Sequence, residues 1–238
     1  MATSSVAALL GIGQETLLSR FQALPSEKFE EEGEGTFEMP DLRLWRHIVG
    51  DVVAPIPDVV HWFHATRVPR GTTFSEGLLP LGDRIEPIRE HLSRLKASHG
   101  IENVDGKFDA GHSRFLYDSK VQNRSSWGPH AYLVRDAIVR PDGINHDYLA
   151  IPEIVEDLVW IMAGKNGSEL IDAFRANTVS CIVKFRSREP REDVVPIALL
   201  YCYYATHGEA PGINGNTCYA GRGVAVAPGD ILGVEFVG

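Results

Sequence analysis

The chain is expected to fold as an α+β domain, and three features along the sequence lead there. An aromatic and β-branched run, Val59-Val60-His61-Trp62-Phe63-His64-Ala65-Thr66, reads as one early buried strand. The middle is helical in period, with Ile85, Ile88, Leu92 and Leu95 on one side of a segment from about Asp83 to His99. The last third reads as strand-rich, over Thr178–Phe185, Val195–Tyr204, Gly223–Val226 and Ile231–Val237. An early strand, central helices and late strands are not a βαβα alternation. No G-x-G-x-x-G follows a strand and no G-x-x-x-x-G-K-[ST] is present, so the two common nucleotide-binding βα motifs lack support.

Taken in order, Ser5–Leu24 places Leu9, Leu17, Leu18 and Phe21 near helical spacing, which predicts one or two short helices. The acidic run EKFEEEGEGTFE over 27–38 predicts an exposed loop. Asp41–Val53 predicts a helix with Leu44, Trp45, Ile48 and Val49 as its apolar side, ended by APIPD. The early strand follows, then a helical turn near Thr73–Gly77 and the amphipathic helix from Asp83. Asp105–Asn123 reads as polar and irregular, His130–Val134 as a second strand, and Ile151–Phe174 as two helices parted by Gly164–Gly167. The change of character after the prolines divides the chain into residues 1–57, a helical extension with the acidic loop, and residues 58–238, a catalytic domain.

With 44 % hydrophobic and 23 % charged residues in 238, the chain can bury a full core, which excludes wholesale disorder, collagen and coiled coil. No apolar run approaches the roughly 18–20 residues of a membrane span. Met1–Leu10 has no basic segment and is followed by Gly11 and Gly13, so a cytoplasmic chain without a secretory signal and without membrane contact is expected. Cys181, Cys202 and Cys218 form neither a disulfide framework nor a C-x-x-C zinc pattern and read as reduced thiols. The net charge of −9 is uneven: Met1–Val60 has ten Asp or Glu against four Lys or Arg, whereas Arg67–Arg140 has twelve Lys or Arg against nine Asp or Glu. An anionic substrate is therefore compatible with the middle of the chain, while a general nucleic-acid coat protein is not expected.

In a strand, residues three apart face opposite sides, so His61 and His64 do not share one metal ion. His64 shares its face with Trp62 and Thr66. Two segments then carry a family resemblance. Phe63-His64-Ala65-Thr66, followed by Phe74-Ser75-Glu76-Gly77-Leu78, is similar to the first motif of the ADP-ribosyltransferase superfamily, in its toxin- and PARP-like branch. Gly128-Pro129-His130-Ala131-Tyr132-Leu133-Val134-Arg135-Asp136 resembles the G-x-G-x-Tyr-aromatic-x-x-Asp strand of that branch. Together they cover about a tenth of the chain.

The resemblance implies a split β-sheet core with helical insertions and an N-terminal helical extension, NAD as co-substrate, and transfer of ADP-ribose to a protein or nucleic-acid acceptor with release of nicotinamide. A bacterial toxin, effector or defence enzyme would fit. It implies that His64 bonds the nicotinamide ribose, that the backbone of Ala65, beside Thr66, holds the carboxamide, and that Tyr132 stacks on the nicotinamide. Arg67 and Arg70, just after the strand motif, would suit the NAD pyrophosphate. The family's late glutamate is absent in register, since Tyr219-Ala220-Gly221-Arg222-Gly223 offers arginine or glycine. Glu209, in the loop HGEAPGINGN, is the nearest substitute, whereas Asp230 and Glu235 read as a turn residue and a strand side chain. Arg222 would suit a phosphate. Without a carboxylate the alternative is a non-catalytic module of the same fold that binds NAD, ADP-ribose or a protein partner. Two further sets stand beside this one: Cys202 with His207 as nucleophile and base, and the polar stretch Asp109–Ser126, with His112, Arg114 and Arg124, as a substrate-contacting or solvated loop.

Overall fold

A computed structural model of the chain describes residues 2–33, 35, 37–102, 111–139, 146–210 and 215–237. The chain divides into two compact units. The first comprises Met1–His61, Tyr132–Ile144 and Ser187–Cys218, and the second Trp62–Ala131, Asn145–Arg186 and Tyr219–Gly238. The seam expected at 57/58 lies close to the one between His61 and Trp62, but the first unit also takes in two later stretches of chain. The architecture is α+β.

The first unit is helical: α1 (Ala2–Leu9), α2 (Gln14–Gln22), α3 (Ser26–Gly33), α4 (Pro40–Ile48), α7 (Arg135–Val139) and α10 (Val194–Thr206). Its core joins Leu17, Phe21, Phe29, Leu44, Trp45, Ile48, Leu199, Leu200 and Tyr203. Two expectations are corrected here. The acidic run is a helix over Ser26–Gly33, because one apolar residue, Phe29, anchors it in the core against Tyr203 at a ring separation of 5.2 Å. Glu27 in its first turn suits the helix dipole, and Lys28 sits one turn before Glu32. Glu34 and Thr36 of the run lie outside the described residues. The run Val195–Tyr204 is not a strand but most of α10, whose buried residues Val195, Leu199, Cys202 and Tyr203 repeat at helical spacing. A segment apolar on nearly every side has no period to read, and its thirteen residues suit a helix better than a strand.

The second unit holds the strands, apart from residues at their ends: β1 (Val60–Pro69), β2 (His130–Tyr132), β3 (Thr178–Ser187), β4 (Cys218–Ala220) and β5 (Ile231–Val237), in the order β4-β2-β1-β3-β5. β5 runs antiparallel to β3, with Val183 opposite Val234 and Ile182 opposite Glu235. Asp230 is in the turn before β5 and accepts a 2.8 Å bond from Arg186 Nε, so both late carboxylates have the structural places expected of them. The helices are α5 (Leu81–Ser98), α6 (Gly111–Gln122), α8 (Glu153–Ala163) and α9 (Gly167–Asn177). Ile85, Leu92, Leu95, Val155, Leu158, Leu170 and Phe174 form their shared core. α6 corrects the expected irregular stretch 105–123, whose first residues, 105–110, lie outside those described. It was hidden because none of its residues is fully buried, so it has no apolar stripe. The run Gly223–Val226 is a turn that touches Leu78 through one bridge at Val226, and no helical turn forms at Thr73–Gly77. Among the described residues, no helix is long and apolar enough to cross a membrane.

Burial pushes the thiols of Cys181 and Cys202 up to about 11, and Cys218 is exposed. This removes the thiolate that a Cys202–His207 pair would need, and His207 Nε2 faces the carbonyl of Phe21 at 3.3 Å. A thiol reagent at pH 8 should therefore label one cysteine per native chain and all three after unfolding. Rapid native labelling of Cys202 would contradict the packing of α10.

Candidate functional site

β1 carries four of the expected site residues. Its even face buries Trp62 and its odd face buries Ala65, so the sheet is covered on both sides here and His64 is half-buried. The Nδ1 of His64 lies 2.6 Å from the carbonyl oxygen of His130 on the neighbouring strand. A carbonyl only accepts, so Nδ1 bears the hydrogen. Burial, with a further push from His130, lowers the imidazole below its ordinary pKa, and the backbone bond only partly opposes this. His64 is therefore neutral at pH 7, with Nε2 as a bare acceptor.

Ala65 has ordinary strand backbone, since the non-glycine residues with positive φ among those described are Phe74 at 53° and Arg222 at 49°. Position 65 therefore imposes no need for glycine. Thr66 is half-buried next to it. Arg67, expected to suit the pyrophosphate, is engaged by the protein itself. Its Nε donates to Thr178 Oγ1 at 3.1 Å, Nη1 to Leu149 O at 2.7 Å and Ser180 Oγ at 2.6 Å, and Nη2 to Arg175 O at 3.0 Å and Thr178 O at 3.2 Å. All five donors of the guanidinium are engaged, and a pyrophosphate would have to displace them. Arg70 is exposed in the turn that follows β1.

The second motif begins where glycine is required. Gly221 N donates to Pro129 O at 2.9 Å and Gly223 N to Gly128 O at 3.0 Å. A Cβ on Gly221 would lie 2.9 Å from the carbonyl oxygen of Gly128. Gly77, at φ 84°, has no room either: a Cβ there would meet Val226 O at 2.0 Å. The Phe74–Leu78 loop is thereby pinned beside the 221–223 turn by the paired backbone bonds of Leu78 and Val226, at 3.0 and 2.9 Å. Between Gly221 and Gly223, Arg222 is exposed and left-handed, a conformation that costs a residue with a Cβ about 1 kcal/mol. The Arg124 side chain lies against Gly223, where a Cβ would come within 2.8 Å of its Cγ. Two exposed guanidinium-bearing residues therefore border the turn.

Tyr132 ends β2 half-buried, on the same strand face as His130 by alternation. In the first unit, the chain after it is anchored by Leu133 N to Thr217 O at 3.0 Å and Val134 N to Asn216 Oδ1 at 3.1 Å. Arg191 and Asp193 hold that segment: Arg191 binds Asp193 with two bonds of 2.8 and 2.6 Å, and both bond Thr217 Oγ1. Arg191 keeps the Asp193 carboxyl below its usual range. Asp136, the last residue of the motif, accepts a 2.8 Å bond from Tyr201 OH. Sequence reasoning missed the Arg191–Asp193 pair, which precedes an apolar run and resembles an ordinary helix start. Glu209 follows α10 and accepts a short hydrogen bond from Ser26 Oγ. The structure joins His64 to β2, ties Glu209 to α3, and places Arg222 on the 221–223 turn.

Replacing Arg67 by Met keeps the aliphatic stem and removes five donors, while Leu149 O keeps Ser180 Oγ and Arg175 O keeps Thr178 N. Stability should fall by about 3 kcal/mol in chemical denaturation, and a loss below about 1 kcal/mol would show that the clamp is dispensable. Comparison with protein-family models, with curated proteins and with solved structures finds no match to this chain.

Proposed function

We propose that the chain is an NAD-dependent ADP-ribosyltransferase, and the observation that supports this most is the neutral His64 with its Nδ1 hydrogen committed to His130. A bare Nε2 on a rigid central strand suits a ribose hydroxyl, which donates one hydrogen to it. In this reading Ala65 offers its backbone to the carboxamide, Thr66 lies beside it, and Tyr132 stacks on the nicotinamide. The bond between ribose and nicotinamide breaks with its electron pair leaving on nicotinamide. The acceptor's nucleophilic atom then bonds the sugar carbon and gives up its proton. Glu209 is the carboxylate assigned to support the cationic sugar, and Arg222 with Arg124 suits the phosphates of the substrate or of a nucleic-acid acceptor.

A second reading has its own support. An arginine on the 221–223 turn, in place of an acid, favours a module of this type that binds NAD or ADP-ribose without turning it over. Incubation with NAD, with and without cell lysate or nucleic acid as acceptor, separates the two. Free nicotinamide should appear, and His64→Ala and Tyr132→Ala should each reduce its rate about 100-fold, with Glu209→Gln close behind. Saturable NAD binding without nicotinamide release would establish the binding module instead. Neither binding nor release under any of these conditions would overturn both readings.

A further inference from the structure

β5 is the last strand of its sheet, and among the described residues no strand pairs with its outer side. Natural sheet edges are guarded against a further strand by lysine, proline or a bulge. Ile231–Val237 has no lysine, no proline and a single charged residue, Glu235, and its break in register lies at the start, so that Gly233–Val237 pairs with β3 without interruption. The sheet face it continues is fully buried one strand earlier: Cys181, opposite Phe236, and Val183, opposite Val234, are both 0 % exposed. On β5 the same face opens, with Phe236 55 % and Leu232 43 % exposed. Leu232, at the break in register, has no residue opposite it on β3. On the other face, a Cβ added to Gly233 would meet nothing within 4 Å. An apolar face thus ends one strand short, beside a backbone edge able to take one more.

We propose that this edge pairs with β5 of a second copy of the chain, antiparallel about a two-fold axis at Val234. The strand is self-complementary in that register. Leu232 meets Phe236 of the second copy in both halves, Val234 meets its own equivalent, and Glu235 falls opposite Gly233, which brings no side chain against it. The aliphatic–aromatic pairs extend the face that is buried at β3, where such cross-strand pairs stabilise a sheet. Neighbouring registers are worse: an axis at Glu235 would oppose two carboxylates, and one at Gly233 would set Phe236 against Asp230. Seven residues a side is well below the roughly 20–30 of a stable interface, so the dimer is a reversible one with a Kd of about 10–100 µM. It uses no residue assigned to NAD.

The test is sedimentation equilibrium of the full chain from about 2 to about 500 µM, a range that brackets that Kd. The mass should rise reversibly from 26.2 kDa toward twice that value. Phe236→Lys and Leu232→Lys, both at exposed positions, should each weaken the association at least about 10-fold, while Phe115→Lys, on α6, leaves it unchanged. Gly233 reads the register: Gly233→Lys, opposite Glu235 of the second copy, should tighten the dimer about threefold, and Gly233→Glu should loosen it by as much. Should the lysine variants at 232 and 236 not fold, the opposed response of the two Gly233 variants decides. A dimer indifferent to Phe236→Lys and Leu232→Lys, or one shifted alike by Gly233→Lys and Gly233→Glu, would overturn the proposal. So would a chain monomeric throughout, which would leave the edge to an extended segment of another protein.

Discussion

The guanidinium of Arg67 is the interaction on which the second unit depends. From one side chain on β1 it reaches a hydroxyl and a carbonyl of Thr178 and the hydroxyl of Ser180 on β3, the carbonyl of Leu149, and the carbonyl of Arg175 in α9. Side chains alternate along a strand, so a slip of one residue would carry His64 to the opposite face. Arg67 ties β1 to β3 and α9 three residues beyond His64. The 2.6 Å bond to His130 then decides which ring nitrogen is left for a ligand. The residue assigned from sequence to a substrate phosphate thus has a structural task, and the candidate chemistry rests on that task.

Around this strand the backbone is packed too tightly for side chains. Gly77 lies against Val226 and Gly221 against Gly128, while Phe74 and Arg222 accept left-handed backbone between them. Strain held by tight neighbours is characteristic of binding loops, where surrounding structure sustains a conformation the residue would not choose alone. The electrostatic character that results is that of a neutral imidazole in the sheet and exposed arginines at the adjoining turn. Such an arrangement accepts a hydroxyl and attracts an anion. It holds no acid on that turn.

The parts legible in the sequence were those whose physics is local. β1 announced itself through aromatic and β-branched residues, and α5 through an apolar stripe. α10 misled because nearly every side of it is apolar, and α6 because almost none is. α3 depended on Phe29 alone finding a core built from residues far along the chain. The role of Arg67 was illegible for a similar reason: its acceptors lie 82 to 113 residues away. His64 and Tyr132 were singled out by a resemblance, and what the structure adds is that each lies on a strand, β1 and β2. The hydrogen-bond partner that sets the tautomer of His64 comes from another strand and needed the fold.

The central claim is that His64 is neutral and protonated on Nδ1, with Nε2 free to accept a hydrogen bond. A long-range 1H–15N spectrum of histidine-labelled protein at pH 7, with His64 assigned by His64→Gln, reads this directly. The account predicts a protonated Nδ1 and an unprotonated Nε2 that shifts when NAD is added. An imidazolium, or a ring protonated on Nε2 instead, would contradict it.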